Sequence, residues 1–447
     1  MTAETEKFTT APATDRTSAL RAFLISGLGT ALEYYDFLIY GLAAGLVFNT
    51  VFFPASDPLV GTLYSFAAFG TGFLARPLGG IVIGHFGDKV GRKKMLIITL
   101  STMGVSTFLI GLLPDFNTIG IWAPVLLVAL RLIQGFAAGG EWGGAALFGI
   151  ENAPGNRRGL WGSFTSMGIG LGTFLGVAAF ALTSVAFDDQ LTPWGWRIPF
   201  LLGGALVIIA MLARLTMPDD TVAAGEQDGT TRRIPIVEAL RRSPRTVLLG
   251  LGVSYGYNTF AYIGFTFLLS YLTMLGYGTT ESLVSQLVYS VVLFVSAPFW
   301  AFVSDKVGRR PVMAIGGVAS GAFLFLFFVL ANSNSITLVV VGFSLVGLLT
   351  GVTQGPIPAF TAEQYPARMR YSGMSASYQI GASIGGGTAS FIATALLVAT
   401  GQNPVSVAIY GTFAMLVLVG CSLALRETAH LSTAEVDDPD GENAALS

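Results

Sequence analysis

Gly84-His85-Phe86-Gly87-Asp88-Lys89-Val90-Gly91-Arg92-Lys93-Lys94 and, far downstream, Val303-Ser304-Asp305-Lys306-Val307-Gly308-Arg309-Arg310 share the core Asp-Lys-Val-Gly-Arg. Asp88 and Asp305 stand 217 residues apart, about half of the 447-residue chain. A second landmark repeats at nearly the same distance. Glu151 precedes Arg157 and Arg158, and Glu363, 212 residues on, precedes Arg368 and Arg370. The chain therefore reads as two related halves that align with little slippage.

What surrounds these loops sets their environment. The chain is 53% hydrophobic and 11% charged, with 56 glycines and a mean hydropathy of +0.67. A soluble domain carries about 25% charged residues, so this sequence lacks the polar surface to coat one. Apolar stretches of about 20 residues, enough to cross about 30 Å of hydrocarbon, lie near 22–48, 60–83, 95–113, 122–150, 159–187 and 197–217. Six more follow near 245–275, 281–303, 312–331, 336–362, 371–399 and 405–425. Glycine within such spans reads as close helix packing. The expected fold is an all-α membrane protein with twelve transmembrane helices, arranged as two six-helix pseudo-repeats facing each other across a central cavity. The expected parts are a tail at 1–21, a bundle at 22–217, a linker at 218–244, a bundle at 245–426 and a tail at 427–447.

Basic residues assign the sides. Of 24 Lys and Arg, 21 fall on one set of loops, and the opposite loops have none. By the positive-inside rule both termini are cytosolic and the span count is even. The other three, Arg76, Arg131 and Arg197, lie within or at the edge of spans. Arg197 follows Trp194-Gly195-Trp196, an indole pair suited to the outer headgroup level. The first twenty residues are polar and run into an apolar stretch too long for a signal-peptide core, so a retained cytosolic tail is expected.

Composition also excludes partners and chemistries. A net charge of -2 gives no basic field for nucleic acid. Cys421, the single cysteine, with His85 and His430 makes no metal set. No Walker-type loop is present, so the energy source should be an ion gradient. No cofactor is expected, and no enzyme activity, because no nucleophile–base constellation appears.

The repeated loops suit a gate. Gly84, Gly91 and Gly308 permit tight turns, Asp88 or Asp305 can cap a neighbouring helix, and Arg92 or Arg309 can pair with Glu151 or Glu363 at the same depth. Such pairs would close the cytosolic side and break when it opens. A plain positive-inside turn is the simpler alternative.

At these residues a family resemblance emerges. The Gly-x-x-x-Asp-x-x-Gly-Arg-[Lys/Arg] loops resemble the signature of the major facilitator superfamily. Further matches are Gly29-Thr30-Ala31-Leu32-Glu33-Tyr34-Tyr35-Asp36-Phe37, Ala75-Arg76-Pro77-Leu78-Gly79-Gly80, Arg131-Leu132-Ile133-Gln134-Gly135, Gly139-Gly140-Glu141-Trp142-Gly143-Gly144 and Trp194-Gly195-Trp196-Arg197-Ile198-Pro199-Phe200. Together they make residues 20–428 similar to the metabolite:proton symporter family. Phe52-Phe53-Pro54 and the His85 turn lean towards its shikimate-like and other organic-acid members.

The resemblance implies a secondary transporter of the bacterial inner membrane. It would import a small organic acid with a proton by alternating access, as a functional monomer whose partners are substrate, proton and lipid bilayer. The alternatives are import of a zwitterionic osmolyte such as proline or betaine, and a non-transporting nutrient sensor on the same fold. The fifth span lacks the Gly-Pro-x-x-Gly-Gly run that resembles drug antiporters. Met217-Pro218-Asp219-Asp220 departs from the sugar-porter pattern, and Arg426-Glu427-Thr428 keeps only part of another. The tail after Glu427 has no heptads, which counts against an osmosensing member.

Charges inside spans need a partner, a wet cavity or a function. Glu33 and Asp36 are neighbours on one helical face, and such a pair can exchange a proton when its surroundings change. They are the leading proton-coupling candidates, with Glu141 a third and a structural ion pair the alternative. Arg131 suits a substrate carboxylate or holds Glu33 or Asp36. Arg131 and Glu141 are about 15 Å apart along an ideal helix and cannot pair. Arg76 either contacts substrate or snorkels to the cytosolic interface. Gln134, Tyr255, Tyr257, Asn258, Tyr262, Tyr378 and Gln379, with Gln286 and Gln354 behind them, are substrate hydrogen-bonding candidates or interhelical ties.

Overall fold

A computed structural model of the chain describes residues 16–55, 57–90, 92–139, 142–151, 153, 157–187, 191–215, 241, 243–432 and 435–436. Among the described residues there is no β-strand, and each apolar stretch read as a span is helical. The first half comprises α1 (Arg16–Leu46), α2 (Pro58–Val90), α3 (Arg92–Leu112), α4 (Trp122–Ala138), α5 (Trp142–Glu151), α6 (Arg158–Phe187) and α7 (Arg197–Leu215). The second comprises α8 (Pro244–Tyr262), α9 (Leu268–Met274), α10 (Thr279–Val307), α11 (Arg309–Ala331), α12 (Ile336–Gln354), α13 (Ile357–Ala362), α14 (Ala367–Ala399) and α15 (Val405–Ala424).

Two interruptions fall at matching places in the repeat. The fourth stretch divides into α4 and α5, and the tenth into α12 and α13, where Pro356 lacks the N–H a continuous ladder would use. The seventh stretch has no matching break. It passes from α8 to α9 through a π-helical turn, Ile263–Phe267.

Packing repeats as the sequence does. α1 lies on α6 as α8 lies on α14; α2 on α4 as α10 on α12; α3 on α7 as α11 on α15. The halves meet along two long helix pairs, α2 with α14 and α6 with α10. At the first, a Cβ on Gly70 would overlap the carbonyl oxygen of Gly387, so the two backbones touch there only without a side chain.

Among the described residues, seven helices are long and apolar enough to cross a bilayer, and Ile97–Leu112 and Trp122–Ala138 are shorter apolar helices. Outward faces stay apolar: Leu182 is 72% exposed and Ile315 71%. Faces like these need hydrocarbon rather than water around them. The middle of the interface, expected as an open cavity, is occupied in this conformation by buried side chains from both halves, among them Tyr34, Phe73, Tyr262 and Tyr378.

The repeated loop differs from a simple turn. α2 continues through Gly84 and Asp88 to Val90, so Gly84 lies in a helix and not at a tight turn. In the second copy α10 likewise continues through Asp305 to Val307, and only Gly308 turns, with φ +113°. A side chain there would be strained and would press on the Glu427 carboxylate. Gly91 and Glu141 lie outside the described residues, as do the side chains of Asp88 and Arg92, residues 1–15, 218–240 and 437–447.

Candidate functional site

The two acids of α1 face different partners. Glu33 points to α2, where its Oε1 is 3.0 Å from Arg76 Nη2, each side chain 1% exposed. The two atoms are not aligned for a hydrogen bond, so the pair is held by charge alone. Among the described residues Arg76 Nε makes no hydrogen bond, and Nη2 has the Glu33 ion pair but no aligned hydrogen bond. The guanidinium lies over Phe37 at 3.8 Å and Phe73 at 4.8 Å. Phe73 in turn contacts Tyr262 of the second half at 5.0 Å between centroids. Arg76 is therefore at the boundary between the halves and does not snorkel: its chain turns inward because a buried carboxylate waits there.

Asp36, one turn on, points into the first half. Thr107 Oγ1 of α3 donates to its Oδ2 at 2.9 Å. Gln134 Nε2 of α4 donates to the same Thr107 oxygen at 2.8 Å, and Arg131 Nη1 donates to Gln134 Oε1 at 2.6 Å. Arg131 Nε also donates to the Phe69 carbonyl at 3.4 Å. Its guanidinium lies over Phe37 at 4.1 Å and Tyr40 at 4.4 Å. One aromatic ring, Phe37, thus contacts the cations of both acids.

The second half brings its polar groups to the same level. Tyr34 and Tyr378 share a hydrogen bond of 3.1 Å across the halves. Ser383 donates to the Phe73 carbonyl at 2.6 Å, and Gln379 Nε2 to the Gly139 carbonyl at 3.0 Å. Ser254 donates to the Tyr378 carbonyl at 2.9 Å, and Asn258 to the Ser254 carbonyl at 2.8 Å. Tyr257, Asn258, Tyr262 and Tyr378 are buried, whereas Tyr255 is half-buried. Gln286 bonds the Phe265 carbonyl. Gln354 is buried with no hydrogen bond from its amide among the described residues.

At the end that carries the second repeated loop, the halves are tied by charge. Asp305 accepts from the backbone N–H groups of Gly159 at 2.8 Å and Leu160 at 3.0 Å, capping α6 from the other half. Arg309 grips Glu363 with both Nε, 2.6 Å, and Nη2, 2.8 Å, and reaches Asp305 at 3.1 Å. Arg158 of α6 meets the same Glu363 at 3.1 Å. Glu151, expected to match Glu363, is exposed at the end of α5. At the opposite end Ser184 and Thr280 share a bond of 3.2 Å, so the halves touch at both ends and between.

The chain beyond α15 joins this charged cluster. Thr428 donates to Glu363 at 2.6 Å, and Arg158 Nη2 donates to the Leu431 carbonyl at 2.6 Å. Glu427 accepts from the N–H groups of Arg309 and Arg310 at the start of α11. Partial burial raises its carboxyl pKa, but backbone donors from Arg309, Ala429, Arg310 and Thr428 prevail and hold it below the ordinary carboxylate range. A depressed folded pKa means that this docking is fully stabilised above about pH 4.3, the unfolded value, and fades as pH falls through the folded one. The protection of 425–432 against hydrogen exchange, taken relative to the intrinsic rate at each pH, should therefore fall on acidification in the native chain and change less in Glu427→Gln.

Residues 22–288 and 286–443 match the Major Facilitator Superfamily. The chain belongs to the major facilitator superfamily. As such it is a transporter and not an enzyme, and a multi-pass protein of the bacterial inner membrane. It is 41% identical over 416 residues to the shikimate transporter of Escherichia coli K12, covering 91% of this chain and 93% of that one. It is 38% identical to the inner membrane metabolite transport protein YhjE of the same organism, covering 94% and 96%. The E. coli K12 proline/betaine transporter is 33% identical, over 92% and 84%. The E. coli xylose transporter XylE in a partially occluded inward-open conformation superposes with a TM-score of 0.71 at 19% identity, over 93% of this chain and 100% of that one, a likeness of fold.

For a major facilitator chain, several residues in these networks went unseen in the sequence. Arg158 read as one more inward-side charge, yet it crosses the halves. Thr107 belongs to no sequence motif, although Thr99, Ser106 and Thr107 are polar residues buried in an apolar helix. Tyr34 stood beside Glu33 without a role until its partner on α14 was placed.

Proposed function

We propose that this protein takes up a small organic acid together with a proton, alternating access between bundles 22–217 and 245–426 joined by the 218–244 linker. The substrate class we favour is a shikimate-like hydroxy acid or related monocarboxylate. One observation carries the reading: Arg76, buried at the boundary between halves, is ion-paired to Glu33 through Nη2 without an aligned hydrogen bond, and its Nε has no hydrogen-bond partner among the described residues. A substrate carboxylate can take those donors in a bidentate grip, with Glu33 yielding its hold. Tyr34, Tyr257, Asn258, Tyr262, Tyr378 and Gln379 surround that place with hydroxyl and amide groups suited to a hydroxylated ring, while Tyr255 is assigned to its rim.

In this reading Asp36 carries the coupled proton, Arg131 and Gln134 hold it, and Glu141 and Glu33 are further proton-coupling candidates. The repeated-loop end faces the cytosol, as the basic residues indicate. Its network of Asp305, Gly308, Arg309 and Glu363, with Gly84, Asp88, Gly91, Arg92 and Glu151 as the first-half counterparts, is the inner gate. One monomer contains the whole path. The relatives named for shikimate and metabolite transport support the substrate class.

The test is uptake of labelled organic acids, with proline and betaine alongside, at two pH values with and without a protonophore. Uptake of a hydroxylated monocarboxylate that is greater at acid pH and collapses with protonophore is the expected result. Selective uptake of betaine or proline would reassign the substrate, and saturable binding without flux would make the protein a sensor.

A further inference from the structure

We propose that Thr107 is the positioning residue that lets Asp36 change its protonation state while remaining tied to Arg131; this rests on the reading of Asp36 as proton carrier. Thr107 is fully buried on α3. Its single hydroxyl hydrogen has two acceptors in reach, Asp36 Oδ2 at 2.9 Å and the Met103 carbonyl of its own helix at 3.0 Å. One hydrogen cannot serve both. Its oxygen meanwhile accepts from Gln134 Nε2 at 2.8 Å, and Gln134 Oε1 accepts from Arg131 at 2.6 Å.

The two states follow from donor counting. With Asp36 ionised, Thr107 donates to the carboxylate and leaves the Met103 carbonyl, whose helical bonding needs no second partner. With a proton on Asp36, the acid itself has a hydrogen to donate. Thr107 then turns its hydroxyl hydrogen to Met103 and accepts from both Asp36 and Gln134 through its two lone pairs. The heavy atoms stay in place in both states, and the hydroxyl hydrogen of Thr107 and the acid hydrogen of Asp36 each have an acceptor. Gln134 bonds the Thr107 oxygen in both, so Arg131 keeps its link to the acid throughout the cycle.

The surroundings isolate this switch. The titratable and charged groups that act on Asp36 are Glu33 and Tyr35 on α1 and Arg131 on α4; Tyr40 and Arg76 lie one contact further off, against Arg131 and Phe37. α7 approaches with Gly203, whose Cβ position is 3.1 Å from Asp36 Oδ1, close enough that a side chain there would crowd the carboxyl. Thr107 is the residue whose hydroxyl bonds the carboxyl directly and also accepts from the arm that holds Arg131.

Thr107→Val keeps the shape and removes both roles, whereas Thr107→Ser keeps the hydroxyl. In proteoliposomes, Thr107→Val should reduce proton-driven accumulation about tenfold or more, the effect of losing a hydrogen bond to a charged group. Substrate exchange under equal pH should fall far less, and Thr107→Ser should restore accumulation. Asp36→Asn, run in parallel, separates the two claims. If Asp36→Asn still accumulates substrate, the proton-carrier reading fails and this inference with it. If Asp36→Asn loses accumulation while Thr107→Val retains it, the inference alone is overturned. Equal loss of exchange and accumulation in Thr107→Val, or no rescue by Thr107→Ser with an unchanged melting temperature, also overturns it, since either result marks a purely structural role.

Discussion

Asp36→Asn should abolish uphill accumulation while leaving exchange of internal for external substrate. An amide matches the carboxyl in shape, and it cannot take up and release a proton. One pH unit corresponds to about 1.36 kcal/mol, so each coupled proton supports about tenfold accumulation per unit of gradient. The variant should fall to a ratio of about one, whatever the gradient. Glu33→Gln should lose accumulation as well, with a second symptom. It leaves the Arg76 guanidinium buried opposite a neutral amide, and breaking one side of a buried pair costs about 3–5 kcal/mol. Apparent substrate affinity and thermal stability should therefore change in Glu33→Gln and stay near native in Asp36→Asn. Gradient-driven uptake, equilibrium exchange and melting temperature measured on both variants check the pattern. Unchanged accumulation in both would remove these acids from the mechanism.

The second large effect concerns the proposed inner gate. Arg309→Ala removes the cation that grips Glu363 by two bonds and Asp305 by a third. Glu363 then keeps Arg158 and Thr428, and Asp305 loses the charge that steadies it beneath α6. Asp305 and Glu363 are the groups that reach across to α6 and Arg158, so losing their shared cation should loosen those contacts. Each loss of about 1.4 kcal/mol from the closed arrangement alone changes the ratio of open to closed tenfold. Spin labels at Arg157→Cys and Lys306→Cys, in a Cys421→Ser background, should report a longer distance in Arg309→Ala than in the native chain. Net uptake should fall with it, because a carrier held open to one side completes few cycles. Arg309→Lys should be intermediate, since an ammonium keeps the charge and loses the fork. An unchanged distance distribution with unchanged uptake would mean that these bonds do not govern closure.

The fold was legible because hydrocarbon leaves few options. Backbone groups in a bilayer must bond within their own segment, so apolar stretches become helices. The Asp-Lys-Val-Gly-Arg repeat then gave the halves their register. Asp305 capping α6 and Arg309 holding Glu363 were both readable, because the loop places a cap, a turn glycine and a fork in sequence. The first-half counterpart was less readable: Glu151 is exposed while Glu363 is buried, an asymmetry that loop spacing does not encode. Which way Glu33 and Asp36 point was hidden too. They are three residues apart on one helix, and a rotation of some tens of degrees decides between the interface and the bundle interior. That choice is made by Arg76 on α2 and Thr107 on α3, partners far along the chain. Hydrogen-bond ties such as Tyr34 with Tyr378 depend on how α1 and α14 sit across the halves, which no local pattern records.

The most direct test is proton movement itself. Purified protein in vesicles of weak internal buffering is given a hydroxylated monocarboxylate from outside, with a pH electrode in the bath and no imposed gradient. Coupled import predicts an immediate alkalinisation of the bath that scales with substrate taken up and is absent in Asp36→Asn. Substrate entering with no change of external pH, or the same pH change from the Asp36→Asn protein, would contradict the account.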